Sequence, residues 1–361
     1  MQLQHLWLTD FRNYAGLDLE LPAGTSVFVG RNGQGKSNLL EAVYFLATMA
    51  SFRVRSTDAL IGHRQDESPA VARGEFVGQG REILVEAALR AGGRPQMQVN
   101  RQRVRRRELL GLLPVSIFMP EDLELIKGGP AARRQFLDEA LAQMDPRLDG
   151  VRSETEGVLR QRNALLRQVR GRLDADAAVT LDVWDEKLAH AGEQLRRARE
   201  DVVARLAARV PNVCAGIAGS TGQVELAYSS AWVSGELRNT LCEVRQEDLR
   251  RGATSVGPHR DDLVVSLHGQ PARTHASQGE QRTLALALRL AVHEELATAT
   301  GQWPLLLLDD VFSELDEERA RGVLGALESE QTLLTTAGSL PPGIAHSALF
   351  RVADGRVVRE A

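Results

Sequence analysis

Residues 27–46 read VFVGRNGQGKSNLLEAVYFL. A short apolar run, a glycine-bearing turn and a stretch with apolar residues at helical spacing follow one another, which is the order strand, loop, helix. Gly30, Arg31, Asn32, Gly33, Gln34, Gly35, Lys36 and Ser37 match G-x-x-x-x-G-K-[ST] in full. Each place has a physical reason. Glycines let backbone N–H groups close on phosphate oxygens, the helix N-terminus adds positive potential, Lys36 reaches the β/γ oxygens, and the Ser37 hydroxyl binds Mg2+. Lysine occurs in this chain only at Lys36, Lys127 and Lys187, so background composition did not supply the one in the motif. The ligand expected here is ATP with Mg2+; a glycine-rich turn arising by chance is the alternative.

A magnesium-dependent site needs carboxylates, and WPLLLLDDVFSELDEERA at 303–320 contains them. Leu305 to Leu308 read as a buried strand ending in Asp309 and Asp310, at the carboxyl edge where doubly wound sheets place their sites. Asp309 is expected to hold the magnesium through water and Asp310 to orient or deprotonate the attacking water, which makes Asp310 and Lys36 the catalytic candidates. The plainer alternative is that both acids merely start the next helix. A second helix start, HASQGEQRTLALALRLA at 275–291, offers free N–H groups of the kind that favour an anion. Ser277 with Glu280 also reads as a capping box, which describes the same turn.

In this order, GRNGQGKS, SQGEQ, LLLLDD and SELD resemble the motif set of ABC-type ATPases. SQGEQ stands where that family has its signature peptide, and SELD, with Ser313 and Asp316, where it has the D-loop. The resemblance implies that Ser277, Gln278, Gly279 and Glu280 of one copy cap the γ-phosphate of ATP held by another, so that ATP closes a homodimer. Arg12, in LTDFRNY, is a candidate to reach the nucleotide, or else to tie the first strand to its neighbour.

Something large lies between Lys36 and Ser277. Leu181, Trp184, Leu188, Ala191, Leu195, Ala198 and Val202 alternate steps of three and four, a coiled-coil seam, and Val151, Thr155, Val158, Leu165 and Val169 form a weaker match. Two helices of ~25 residues, ~40 Å each, are expected to form an antiparallel arm. The fold class is therefore α/β: a P-loop, ABC-type ATPase head, residues 1–132 and 251–361, interrupted by a helical coiled-coil arm over 133–250. Such heads resemble the SMC and RecF group, and LTDFRNY, GGPAARRQFLD (128–138), SVGPHRDDL (255–263), SQGEQR and LLLLDDVFSELD resemble the RecF family in particular. That likeness implies a protein that binds DNA near single-strand/duplex junctions of gaps, dimerises on ATP, hydrolyses it slowly, and with RecO and RecR helps load RecA onto single-stranded DNA.

Departures from the transporter pattern point the same way. Asp310 stands where transporters use Glu, and Thr335 and Thr336 where they place a switch histidine, so proton-handling groups are retracted or removed and slow turnover is expected. Glu121 is a candidate for the place of the transporter Gln. Two other readings remain open at this point: the energy subunit of a transporter, and a nucleotide-sensing scaffold without useful hydrolysis.

For DNA, Arg101, Arg103, Arg105, Arg106 and Arg107 crowd a turn before a helix. Such a cluster neutralises phosphate charge without reading bases, or is simply a solvated basic turn. Arg160, Arg162, Arg167, Arg170 and Arg172 on the arm read as a solvated face. A formal charge of −4 requires any nucleic-acid contact to be local, and 4% aromatic residues argue for backbone contact over base stacking. His259 and Arg260 read as touching nucleotide or partner, or as a salt-bridged turn. Cys214 and Cys242 give no disulfide framework. The apolar runs are too short or too broken to span a bilayer, and the chain is expected to be cytoplasmic, with no membrane partner.

Overall fold

The computed structural model describes residues 1–62, 68–169, 171–219, 222–338 and 344–360. Two units divide it: residues 1–123, 212–221 and 282–361, and residues 124–211 and 222–281. The first unit holds two sheets. Strands β1 (Gln2–Phe11), β2 (Tyr14–Glu20), β4 (Ala70–Gly78), β5 (Arg81–Leu89), β6 (Gln96–Val99) and β7 (Gln102–Val104) pair antiparallel in the order β2-β1-β4-β5-β6-β7. Burial alternates along β4, so Ala70, Ala72 and Phe76 face the core and their neighbours do not.

The other sheet runs β15-β14-β3-β13-β12-β8, from β3 (Gly24–Val29), β8 (Val115–Phe118), β12 (Leu305–Asp309), β13 (Gln331–Thr336), β14 (Ala348–Ala353) and β15 (Arg356–Arg359). Its pairs are parallel except β14 with β15, a hairpin turned by Asp354 and Gly355, both at positive φ. A parallel strand covered on both faces reads as a continuous apolar run, and Leu305 to Leu308 are all buried. Helix α1 (Lys36–Thr48) shares a core with both sheets, where Leu39, Leu40, Val43, Phe45 and Leu46 meet Leu6 and Phe76 of one and Leu307, Leu333 and Phe350 of the other. That explains why it is apolar nearly all round instead of along one stripe. Short α2 (Arg106–Leu109) and α11 (Glu317–Ala326) also belong to this unit. Parallel strands end on the same edge. The ends of β3, β8, β12 and β13 therefore share it; the P-loop, Glu121 and Asp310 follow the first three, and Thr336 ends the last.

The second unit contains α3 (Glu124–Lys127), α4 (Pro130–Met144), α5 (Pro146–Val169), most of α6 (Ala175–Ala218), α7 (Leu237–Glu243), α8 (Arg245–Arg251), α9 (Ala272–His275) and the start of α10 (Gln278–Thr300). Strands β9 (Val224–Ser229), β10 (Asp262–Leu267) and β11 (Gln270–Pro271) make a small antiparallel sheet. The expected pair of arm helices is present as α5, 24 residues, and α6, 44 residues, so the second is much longer than anticipated. Leu166 packs with Leu181, Arg162 bonds Asp185, and Val158 packs with Leu188, so partner numbers fall on one helix as they rise on the other. The pair is antiparallel. It is not a bare coiled coil: Leu237 and Leu241 of α7, Leu249 of α8 and Trp232 complete the same clusters.

One arm residue is corrected. Arg162, read as part of a solvated basic face, is fully buried, and donates to Asp185 and Asp248 at 2.7 Å each and to Thr254 at 2.8 Å. Arg170 lies outside the described residues. The units also part the chain at 123/124 and 281/282, whereas the sequence reading parts it at 132/133 and 250/251; pairing of β10 with β9 ties 251–281 to the second unit. Among the described residues no helix is long and apolar enough to cross a membrane.

Candidate active site

The P-loop follows β3 without slack. A side chain at Gly30 would meet the Val352 carbonyl oxygen at 2.2 Å, and one at Gly35, whose φ of 113° already favours glycine, would meet Asn13 Nδ2 at 2.6 Å. Asn13 Nδ2 and the Gly355 N–H donate to the Gln34 carbonyl, at 3.0 and 3.2 Å, and Tyr14 Oη donates to the Gly35 carbonyl at 2.9 Å. Burial pushes the Tyr14 hydroxyl above its ordinary range, which keeps it a donor. Sequence reasoning missed this role of Asn13 and Tyr14; their only signal is the LTDFRNY stretch.

Asn32, Gly33, Gly35, Lys36 and Ser37 line a cleft of about 1230 Å³, together with Asp309, Asp310 and Glu121. Gly30, Arg31 and Gln34 do not line it, and Gln34 Oε1 accepts the Asp354 N–H at 2.7 Å. Lys36 Nζ folds onto its own loop, donating to the Gly30 and Arg31 carbonyls at 2.6 and 3.1 Å. Burial lowers its pKa, opposed by the charges of Asp310 and Asp309. Arg12, the candidate to reach the nucleotide or to tie the first strand to its neighbour, borders the cleft and gives Nε and Nη2 to the fully buried Glu41 of α1, both at 2.8 Å. Arg53, Asp58 and Arg90 line the cleft as well, with no motif in the sequence to mark them, and so does Asp10, which lies within LTDFRNY.

Ser37 and Asp309 are 272 positions apart in the chain, yet Ser37 Oγ donates to Asp309 Oδ1 at 2.9 Å. Thr335 Oγ1 donates to the same oxygen at 2.7 Å. Burial raises the Asp309 pKa; the two hydroxyl donors and the Arg53 charge pull it back, while Glu121 pushes it up again. Asp310 leaves the strand with φ 49°, a left-handed backbone, and its carboxylate accepts the Ala337 N–H at 3.4 Å. The donor set suits a nucleoside triphosphate with a hard dication. An ammonium and loop N–H groups would pair with phosphate oxygens, and a hydroxyl and a carboxylate oxygen are what Mg2+ takes alongside them.

Other candidates have local structure of their own. At the start of α10 the Ser277 N–H donates to Glu280 Oε2 at 2.7 Å and the Glu280 N–H to Ser277 Oγ at 3.3 Å, a capping box. Ser277, Gln278 and Glu280 are exposed and Gly279 is half-buried. The buried Gln281 holds the turn, its amide donating to the Ala272 and Arg273 carbonyls at 3.2 Å each. Ser313 Oγ donates to the Asp310 carbonyl at 2.8 Å, and Asp316 caps α11 by accepting the Arg319 N–H at 2.8 Å.

The arginine cluster forms a turn before a helix, as the sequence suggested. Asn100 and Arg101 turn the β6–β7 hairpin at positive φ, Arg103 lies on β7, Arg105 precedes α2, and Arg106 and Arg107 lie within it. Arg101, Arg103, Arg105 and Arg107 are exposed; Arg106 is half-buried. His259 is a packed residue: its Nε2 lies 3.1 Å from the Thr254 carbonyl, and Asp261 beside it accepts from Tyr228 and Trp232 at 2.8 and 3.0 Å.

Residues 2–337 match the RecF/RecN/SMC N-terminal domain family. Among similar proteins, the DNA replication and repair protein RecF of Acidothermus cellulolyticus is 42% identical over 374 residues, covering 98% of this chain and all of that one. The protein of the same name from Streptomyces avermitilis is 40% identical, covering 99% of this chain and all of that one. A solved structure described as the recombination mediator protein RecF with ATP in the RecFOR pathway superposes with a TM-score of 0.91 at 32% identity, covering 99% of this chain and 97% of that one. An SMC head bound to the ScpA winged-helix domain, at TM-score 0.58 and 19% identity over 100% of this chain and 98% of that one, shares the fold. The transporter reading falls away, and with the P-loop, acidic strand and helical insertion in place the chain belongs to the RecF family of P-loop ATPases.

Proposed function

We propose that this protein is an ATP-gated DNA-binding ATPase of recombinational gap repair and replication restart. The observation that carries the reading is the 2.9 Å hydrogen bond from Ser37 to Asp309, which unites the two halves of a P-loop ATPase site in one cleft. On this reading the loop from Gly30 to Ser37 and the Lys36 ammonium hold the triphosphate, and Ser37 and Asp309 hold Mg2+. The bound dication supplies charge neutralisation at the phosphate oxygens. Asp310 orients the attacking water and takes its proton. With Asp in place of the longer Glu, and Thr335 and Thr336 in place of a histidine, hydrolysis is slow and acts as a timer. The signature turn from Ser277 to Glu280 covers the γ-phosphate of a second copy, with the D-loop residues Ser313 and Asp316 nearby in that dimer, and release follows hydrolysis.

DNA is the macromolecular ligand, through backbone contacts from the arginine turn at 101–107 and with a preference for gap junctions. RecR and RecO are the protein partners, and loading of RecA onto single-stranded DNA is the outcome, as the names and family of the relatives support. The head is assigned to 1–132 and 251–361 and the arm to 133–250, the signature turn counting functionally with the head. Sedimentation with and without ATP and gapped DNA tests the whole reading. ATP is expected to convert single chains to pairs and to strengthen DNA binding; chains that stay single at every concentration, with DNA binding indifferent to ATP, would defeat it.

A further inference from the structure

Thr335 is the second-last residue of β13, in register with Asp309 of β12, and is 1% exposed. It does not line the cleft. A buried hydroxyl is tolerated when it is hydrogen-bonded, and this one is used twice: Oγ1 donates to Asp309 Oδ1 at 2.7 Å and accepts the backbone N–H of Asp310 at 3.0 Å. One oxygen atom thus touches both members of the acidic pair, in different ways. To Asp309 it presents its only proton, sharing that carboxylate oxygen with the Ser37 hydroxyl at 2.9 Å. To Asp310 it presents a lone pair, and beside its own backbone carbonyl, which accepts the same N–H at 3.2 Å, it holds the amide of a residue whose φ of 49° is uncommon outside glycine. Left-handed backbone at such a place persists where the surroundings fix it. The two residues before it, Leu333 and Leu334, are apolar and buried, and valine would fill the same volume as Thr335. The hydroxyl, and not the shape, is therefore the feature to explain.

We propose that Thr335 is a positioning residue for ATP hydrolysis, its hydroxyl fixing the Asp309 carboxylate and the backbone turn that aims Asp310. This rests on the roles given above to Asp309 and Asp310. Displacement of a reacting group by about 1 Å costs up to roughly a hundredfold in rate. The test compares Thr335→Val, which removes the hydroxyl, with Thr335→Ser, which keeps it, in the full chain. Three quantities are read: ATP binding at saturating Mg2+, the Mg2+ concentration giving half-maximal ATP binding, and single-turnover hydrolysis per ATP bound.

T335V is expected to bind ATP within about threefold of the parent at saturating Mg2+, to need about fivefold more Mg2+, and to hydrolyse bound ATP about 10- to 100-fold more slowly. T335S is expected to stay within about threefold of the parent in all three. Parental hydrolysis and Mg2+ requirement in T335V, or T335S as impaired as T335V, overturns the proposal. Should T335V fail to fold, Thr335→Ala carries the same loss, and rates per ATP bound are independent of the folded fraction. A parent that binds ATP but never hydrolyses it would instead overturn the underlying role of Asp310, so the two failures are told apart.

Discussion

Asp310 combines a chemical assignment with an unusual backbone. Asn is among the few non-glycine residues that adopt a left-handed φ readily, so Asp310→Asn keeps the turn at φ 49° while removing the base. Turnover is expected to fall about 10²-fold or more with ATP-dependent pairing retained, general-base contributions being typically of that size. Phosphate release at the parental rate would remove Asp310 from its role. Legibility at this level follows from where a residue's partners lie in the sequence. Gly30 to Ser37 are contiguous and each place has its own chemical reason, so they could be read directly. For Thr335 the place of a missing histidine could be read but its bonds could not, because nothing in QTLLTT marks a hydroxyl aimed at residues 26 and 25 positions earlier in the chain. Tyr14 was hidden likewise, since its bond to the Gly35 carbonyl is a long-range contact.

Helices and turns were legible where periodicity governs them and failed where charge is buried. Leu181, Leu188, Leu195 and Val202 lie in the core of α6 as their spacing requires. On α5 the buried positions include Val158, Arg162 and Leu166, and counting apolar residues alone skips an arginine neutralised by Asp185 and Asp248. For the basic turn, structure sharpens the choice of variant. Arg106 is half-buried, so changing it mixes folding with binding, whereas Arg105 and Arg107 are exposed. Replacing both with Gln is expected to weaken DNA binding uniformly across sequences and to reduce the magnitude of the salt slope by about 2, one for each DNA phosphate that no longer has a cation beside it. An unchanged slope moves the DNA site elsewhere. The segment at His259 makes a separate, pH-dependent prediction. Burial, with Arg260 and Arg134 nearby, pushes the imidazole pKa down to about 4 against the bond to the Thr254 carbonyl and the charge of Asp248. The unfolded chain takes up this proton near pH 6.5 and the folded chain only near 4, so the stabilisation is complete above 6.5 and is lost as pH falls toward 4. At most about 3 kcal/mol is involved, at 1.36 kcal/mol per unit. His259→Gln should flatten the fall in melting temperature between pH 6.5 and 4, and identical slopes in both proteins would show that His259 does not titrate this way.

Across the whole chain, nucleotide site and signature turn are separate pieces of sequence, and the proposed pairing of two copies is what gives each a use. The capping box at Ser277 raises an objection that must be met, because it accounts for both Ser277 and Glu280 within one chain. Capping and phosphate recognition can be separated by charge. Aspartate caps a helix as well as serine does, whereas alanine loses about 1 kcal/mol of cap. Ser277→Asp therefore keeps the local structure but puts a negative charge where the γ-phosphate of the other copy is proposed to lie. Ser277→Arg adds bulk at the same exposed position. If the turn only starts a helix, S277D should pair on ATP like the parent, and S277A should be the impaired variant. If the turn covers a phosphate, S277D and S277R should bind ATP through an intact P-loop yet sediment as single chains, and S277A should retain much of its pairing. Parental dimers in ATP-loaded S277D would place the anion away from this helix start, and the clamp would have to close by another surface.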